Sequence, residues 1–337
     1  MKLLITGGAG FIGSNFIRYI LKKYPDYKII NLDKLTYAGN LANLLDIEEK
    51  CGSRHLFIKG DICNVKLVDM IMPKVDAVIN FAAESHVDKS ILDAQAFIKT
   101  DILGTQTLLE SVKAHKIKRY IQISTDEVYG EIKNGSSKEI DALKPRNPYS
   151  ASKAGGDLLC QAYFNTYNLP VMITRGANNF GPYQYPEKLI PLFITNLLED
   201  KTVPVYGDGK QIREWIFVVD HCSGIDKVLH GGKVGEIYNI GTGVLKQNIK
   251  ITKLILKELG KSLAYIEYVK DRPGHDRRYS LDSSKIRALG WKPKYEFKNA
   301  LQKTIKWYLR NHKWWERLKS GEYLEYYKNL LASLAKP

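Results

Sequence analysis

Hydrophobic and polar positions alternate along the first half of the chain in a regular rhythm. Lys2–Thr6 is a short apolar run that ends at the glycine-rich segment Gly7–Gly13. Phe16, Ile17, Ile20 and Leu21 then recur at helical spacing, and Lys28–Asp33 is a second apolar run. Further short runs at 55–59, 76–81, 119–124 and 170–175 read as strands. Between them lie helical patterns over 65–72, roughly 93–115 and 149–166. Strands alternating with helices predict parallel strands joined by crossover helices, so the expected class is α/β with a doubly wound parallel sheet. Residues 131–148 are polar and contain prolines, which predicts a loop or flap before the helix at 149. Beyond residue 176 the periodicity loosens. There we expect a loop over 178–188, a turn at 205–209 and a basic loop over 272–278. From about 297 an amphipathic helical tail carries Trp307, Trp314, Trp315, Tyr326 and Tyr327, read as packing or subunit contacts.

The first strand, glycine loop, helix and second strand come in the order of a dinucleotide-binding unit. Gly8, Gly10 and Gly13 match G-x-G-x-x-G, and Gly7, Gly10 and Gly13 give an overlapping G-x-x-G-x-x-G reading. Either set allows a tight turn and close approach of a pyrophosphate to a helix N-terminus. Asp33 closes the second strand twenty residues past Gly13. A carboxylate there binds the ribose diol and repels a 2′-phosphate, which predicts NAD over NADP. The expected layout is a Rossmann-type NAD-binding domain over 1–176 that carries the catalytic residues. A smaller C-terminal α/β domain over 177–337 would bind substrate, with elements such as 211–230 returning to the first domain. Asp61, after the third strand, could accept from the adenine amine or cap the helix over 65–72.

Composition narrows the class. The chain has 337 residues, 44% hydrophobic and 26% charged, without an apolar run long enough for a membrane span. The expected setting is cytoplasmic, since no signal-peptide pattern opens the chain. Cys51, Cys63, Cys160 and Cys222 lack metal-ligand spacing and read as reduced packing residues, so no metal site is expected. A net charge of +15 raises a nucleic-acid reading, but the lysines and arginines are scattered and no nucleic-acid-binding motif accompanies them.

Chemistry concentrates at Ser124-Thr-Asp-Glu-Val-Tyr-Gly130 and Tyr149-Ser-Ala-Ser-Lys153. Tyr149 and Lys153 lie one helical turn apart, where the ammonium is expected to lower the phenol's pKa. A phenol tuned in this way takes a proton from a sugar hydroxyl while hydride leaves the same carbon. Asp126 and Glu127 follow Thr125 at the carboxyl end of a parallel strand. They can act as acid and base if their environments separate their pKa values. Both reach one substrate only if the chain bends there, because consecutive residues of a straight strand face opposite ways.

These motifs, with Ala82-Ala-Glu-Ser-His-Val-Asp88, Asn178–Pro191, Tyr206-Gly-Asp-Gly209 and Arg272–Arg278, resemble the extended short-chain dehydrogenase/reductase family along nearly the whole chain. Within it the chain is most similar to the nucleotide-sugar 4,6-dehydratases. The Asp126-Glu127 pair carries that distinction, since related 4-epimerases usually have small residues at both positions. The resemblance implies Tyr149, Thr125 and Lys153 at the sugar C4, Glu127 as base at C5 and Asp126 as acid on the 6-hydroxyl. It implies an NAD site lined by Gly7, Gly10, Phe11, Ile12, Gly13, Asp33, Lys34, Thr36, Asp61, Ile62, Ala82, Ala83, Ser85, Thr100, Tyr149, Lys153 and Asn179. The sugar nucleotide would be held by Ser85, Thr125, Asn178, Lys188, Leu189, Val205, Tyr206, Arg213, Asn248, Arg272 and His275, with Arg213 and Arg272 facing its diphosphate. The implied substrate is dTDP-glucose, with UDP-glucose as alternative. The implied assembly is a homodimer through a four-helix bundle built from the helices near 93–115 and 149–166. Other readings left open are a nucleotide-sugar 4-epimerase and a non-catalytic NAD- or nucleic-acid-binding protein. The chain departs from the family at Gly176-Ala177 (usually Cys-Ser), at Asp101 (usually Asn after the Thr) and at Phe180 (commonly Tyr).

Overall fold

A computed structural model of the chain describes residues 1–271 and 274–320. The strands, in chain order, are β1 (Lys2–Thr6), β2 (Lys28–Asp33), β3 (His55–Lys59), β4 (Ala77–Asn80), β5 (Arg119–Thr125), β6 (Val171–Gly176), β7 (Asn178–Phe180), β8 (Val203–Tyr206), β9 (Ile212–Phe217), β10 (Ile237–Ile240), β11 (Leu245–Gln247) and β12 (Ile266–Val269). Seven of them form one parallel sheet in the order β10-β6-β5-β4-β1-β2-β3. All six strands expected in the first half are in it, and β10 extends it from the second half.

Helices cover both faces of this sheet, which is why its strands are continuously apolar instead of alternating. Leu3 and Ile5 of β1 pack into one buried cluster and Leu4 into another, on the opposite face. The helix Val218–Gly231 packs against the helix Phe11–Lys23. There Asp226 accepts from Lys23 at 2.5 Å and from Tyr24 at 3.1 Å. The chain reverses direction across the sheet at β1, whose neighbours are β2 and β4, and the crevice beyond that point is where an open parallel sheet binds ligands.

The second region has its own core around Phe180, Phe193, Trp215, Tyr308 and Trp315. Two small sheets, β11-β9-β7 and β12-β8, frame it. The expected loop over 178–188 therefore begins as a strand, because Asn178–Phe180 pairs in parallel with Trp215–Phe217. Trp307 and Trp314 pack on Tyr183, and Trp314 also donates to Asn43 at 2.9 Å. Tyr326 and Tyr327 lie outside the described residues.

The helix expected over 93–115 runs from Gln95 to Ala114 but is not regular. Ile98–Gly104 is wound as a π-helix between the α-helical segments Gln95–Phe97 and Thr105–Ala114. Such a wide turn carries one extra residue, which sequence periodicity does not register. All four cysteines are free, and among the described residues no cluster has the makings of a metal site. No described helix is long and apolar enough to cross a membrane.

Candidate active site

A cavity of about 290 Å³ opens over the crevice, and every residue expected to line the dinucleotide site, from Gly7 to Asn179, borders it. Gly7 adopts φ +66°, and a side chain there would come within 2.6 Å of the Ala82 amide nitrogen. A Cβ on Gly13 would collide with the Gly7 carbonyl. Gly8 instead packs against Asn31 and Ile17, away from the cavity, so the Gly7/Gly10/Gly13 reading is the one that faces it. Gly10 caps the helix Phe11–Lys23 without a side chain, leaving its first amides open toward the cavity.

Asp33 stands at the end of β2, where its carboxylate accepts from the amides of Ala9 (2.9 Å) and Leu35 (2.8 Å). Burial pushes its pKa up against those two bonds. Each oxygen keeps a lone pair for a further donor. Asp61 pairs with Lys34 at 2.8 Å and accepts from the Cys63 amide at 2.9 Å. Burial raises its pKa, but these partners outweigh that and hold it below the ordinary range. Asp61 does not cap the following helix. That role falls to Asn64, whose side chain accepts from the Leu67 amide.

The catalytic set converges where β5 ends. Thr125 caps a single 3₁₀ turn over Asp126–Tyr129, its hydroxyl accepting from the Glu127 amide at 3.2 Å. This is the bend that lets two consecutive carboxylates serve one pocket, since Asp126 and Glu127 both line the cavity. Asp126 is buried, its Oδ1 accepting from Thr125 at 3.2 Å while Oδ2 has no partner. Burial drives its pKa well up, and the charges of Glu127 and Glu214 add to that, so its surroundings favour the protonated form.

Tyr149 opens the helix Pro148–Tyr167, whose N-terminus is fixed by Pro148 and a reciprocal Asn147–Ser150 capping box. The expected lowering of its phenol by Lys153 is not what the fold produces. Burial, then the Glu127 and Asp101 charges, hold the phenol well above its ordinary value, against a hydrogen bond with Thr125. Lys153 is buried on the same helix and donates to the Ile123 carbonyl at 2.7 Å.

A second cavity, about 160 Å³, is lined by Lys188, Leu189, Val205, Tyr206, Arg213, Asn248 and His275. It meets the first at Glu127, Asn178, Glu187 and Lys188, while Ser85 and Thr125 border the first. Arg213 is steered by bonds to the Ile212 and Asp276 carbonyls, both 2.9 Å, and lies over the Tyr279 ring. Arg272 lies outside the described residues. The rest of the expected basic loop turns elsewhere. Arg277 pairs with Asp208 at 2.7 Å, and Arg278 donates to the Gly135 carbonyl at 2.9 Å.

Sequence reasoning missed several lining residues. Glu187, buried where the cavities meet, accepts from Tyr37 at 2.9 Å. His221 lies against Gly176 at the cavity wall, and neither ring nitrogen has a hydrogen-bond partner. Glu187 sits inside the stretch Asn178–Pro191, where the expected ligand contacts are Asn178, Asn179, Lys188 and Leu189. His221 follows an acid, Asp220, in an otherwise ordinary amphipathic helix and carries no signal of its own.

The cavities fit polar ligands. Asp126 Oδ2 and the side-chain oxygens of Asn178, Asn179 and Asn248 are buried without partners in residues that line them, and such atoms are costly to leave unpaired.

Comparison with known proteins decides the family, for the GDP-mannose 4,6 dehydratase family matches residues 4–304. The chain belongs to that family. It is 52% identical over 312 residues to the low-salt glycan biosynthesis protein Agl12 of Haloferax volcanii, covering 92% of this chain and 99% of that one. It is 49% identical over 327 residues to a dTDP-glucose 4,6-dehydratase of Streptomyces niveus, covering 96% and 97%. The crystal structure of DesIV, a dTDP-glucose 4,6-dehydratase from Streptomyces venezuelae solved with NAD bound, superposes with a TM-score of 0.92 at 51% identity. That match covers 95% of this chain and 100% of DesIV.

Proposed function

We propose that the chain is an NAD-dependent dTDP-glucose 4,6-dehydratase, a hydro-lyase that yields dTDP-4-keto-6-deoxyglucose. The observation that carries this reading is the pair of consecutive carboxyls on the bend after β5. Both line the same cavity as Tyr149, and burial holds the pKa of one of them, Asp126, well above the ordinary carboxylate range. An epimerase has no water to expel and no use for a buried acid.

NAD would be held by the Gly7/Gly10/Gly13 loop at its pyrophosphate and by Asp33 at its ribose, with Asp61, Thr100 and Asn179 among the flanking contacts. When bound, NAD supplies the acceptor for the C4 hydride and later returns that hydride to C6, and its oxidised ring adds a positive charge to the cavity. Tyr149 takes the proton of the C4 hydroxyl, with Thr125 stabilising the phenolate by its hydrogen bond and Lys153 by its charge. Oxidation at C4 makes the C5 hydrogen acidic, and Glu127 removes it. Asp126 gives its proton to the 6-hydroxyl, which departs as water. Lys188, Arg213, Asn248 and His275 line the second cavity, where the nucleotide would sit with Arg213 toward the diphosphate.

The division at residue 176 belongs to this reading, with the NAD-binding part before it and the sugar-nucleotide part after it. So do a cytoplasmic setting and a homodimer. Exposed Ile98, Leu103 and Leu158, on the helices expected in the four-helix bundle, support the dimer. Separate incubations with dTDP-glucose and UDP-glucose in the presence of NAD, followed by mass spectrometry, test the reading. Loss of one water from dTDP-glucose in preference to UDP-glucose is expected. Galactose formed at unchanged mass would make the chain an epimerase and remove the acid role from Asp126.

A further inference from the structure

One buried carboxylate beside the catalytic helix takes no part in the chemistry above. Asp101 belongs to the π-wound turn Ile98–Gly104 and is 2% exposed. Its Oδ2 accepts from the Ser152 hydroxyl at 2.6 Å, and Ser152 also donates to the Tyr149 carbonyl at 2.8 Å. Ser152 lies between Tyr149 and Lys153 in sequence, so this contact reaches the catalytic turn directly. The turn and the helix are pressed together there: a Cβ on Gly156 would come within 2.9 Å of the Asp101 carbonyl. Asp101 Oδ1 has no partner.

The groups facing Asp101 come from the helix Pro148–Tyr167 and from the segment after β4. Lys153 approaches from the helix Pro148–Tyr167 and favours the ionised form. The Glu84 amide, from the segment after β4, also favours it. The Glu84 carboxyl and the Tyr149 phenol feel the Asp101 charge as a repulsion. Burial lifts Asp101 to about 6 and Glu84 to about 7.

We propose that Asp101 is a positioning residue that sets the pH at which Tyr149 becomes a competent base, acting through its charge and its bond to Ser152. Ionised Asp101 opposes the phenolate directly and partly neutralises Lys153, which would otherwise favour it. Protonated Asp101 does neither. Ionised Asp101 therefore places the rising limb of the pH–rate profile at higher pH than a neutral residue there would. This inference rests on the assignment of Tyr149 as the base of a dehydratase.

The test is the Asp101→Asn variant, nearly isosteric and still able to accept from Ser152. Full pH profiles of kcat/KM for dTDP-glucose are compared with the parent enzyme, with circular dichroism as a check on folding. The rising limb of the variant should move to lower pH by about one unit. Activity two units below the plateau should then exceed the parent's severalfold, with plateau kcat and KM little changed. If the variant does not fold, Ser152→Ala supplies the second arm. It weakens the ionised state of Asp101, so the limb should also move toward lower pH. Coincident profiles for parent and folded variant would overturn the role of Asp101 and leave the dehydratase reading intact. A parent without dehydratase activity would overturn both.

Discussion

Two adjacent carboxyls with different surroundings are the smallest unit that explains the chemistry. Burial and the charges of Glu127 and Glu214 push the pKa of Asp126 well up, which favours its protonated form. Asp126→Asn should reduce kcat by about 10²- to 10⁴-fold while leaving KM nearly unchanged, as measured by steady-state kinetics, because the group acts in elimination and not in binding. Glu127→Gln should lose as much, and should also stop exchange of the C5 hydrogen with deuterated solvent. The types and spacing of these residues were legible in the sequence, and so was the need for a bend between them. The direction of the Tyr149 shift was not. It depends on burial, on Glu127 and on Asp101, brought in from a distant turn, and one-turn spacing of Tyr149 and Lys153 carries no information about these. Asp101 makes a stability prediction as well. Its ordinary value is 3.8 and the fold raises it to about 6, so its contribution to stability is fully present below pH 4 and is lost as the pH rises through 6. Asn at this position has no such loss. Unfolding in urea should show Asp101→Asn gaining on the parent between those limits by up to about 3 kcal/mol and staying level above them.

At the scale of elements, two local arrangements hold the site in place. Gly7 lies so close to the Ala82 amide that Gly7→Ala should displace the end of β4 and release NAD. Chromatography of the cofactor carried by purified protein, expected near full occupancy for the parent and near zero for the variant, checks this. Arg175 of β6 is buried with Asp157 of the catalytic helix at 2.9 Å, and it also donates to Tyr129 at 2.8 Å. Arg175→Met removes the buried counter-charge bonded to Asp157, which should cost about 3–5 kcal/mol in urea unfolding. Pairing it with Asp157→Leu should recover much of that loss. The strands of the large sheet were legible because burial on both faces makes them unbroken apolar runs. β7 and the π-turn were not. A three-residue strand and one extra residue in a helix leave the periodicity on either side intact.

At the scale of the molecule, the sheet supplies one cavity, the second region supplies another, and they join at Glu127, Asn178, Glu187 and Lys188. A sugar placed at that junction would have its carbon skeleton beside the acid and base and its nucleotide in the second cavity. The first cavity was largely legible because its residues lie next to sheet strands in a fixed order. The second is assembled from β8, β9, the helices Leu189–Leu198 and Asn248–Glu258 and loops remote from one another in sequence, so its residues were legible only through resemblance, and Glu187 not at all. The whole arrangement makes the claim that one bound NAD takes a hydride and gives it back within a single turnover. Incubation with dTDP-glucose carrying deuterium at C4, followed by NMR of the product, tests this most directly. The account predicts a 4-keto-6-deoxy product with the deuterium at C6 and none in solvent or in free cofactor. Deuterium at C4 of a dehydrated or epimerised sugar, or its loss from the sugar altogether, would contradict it.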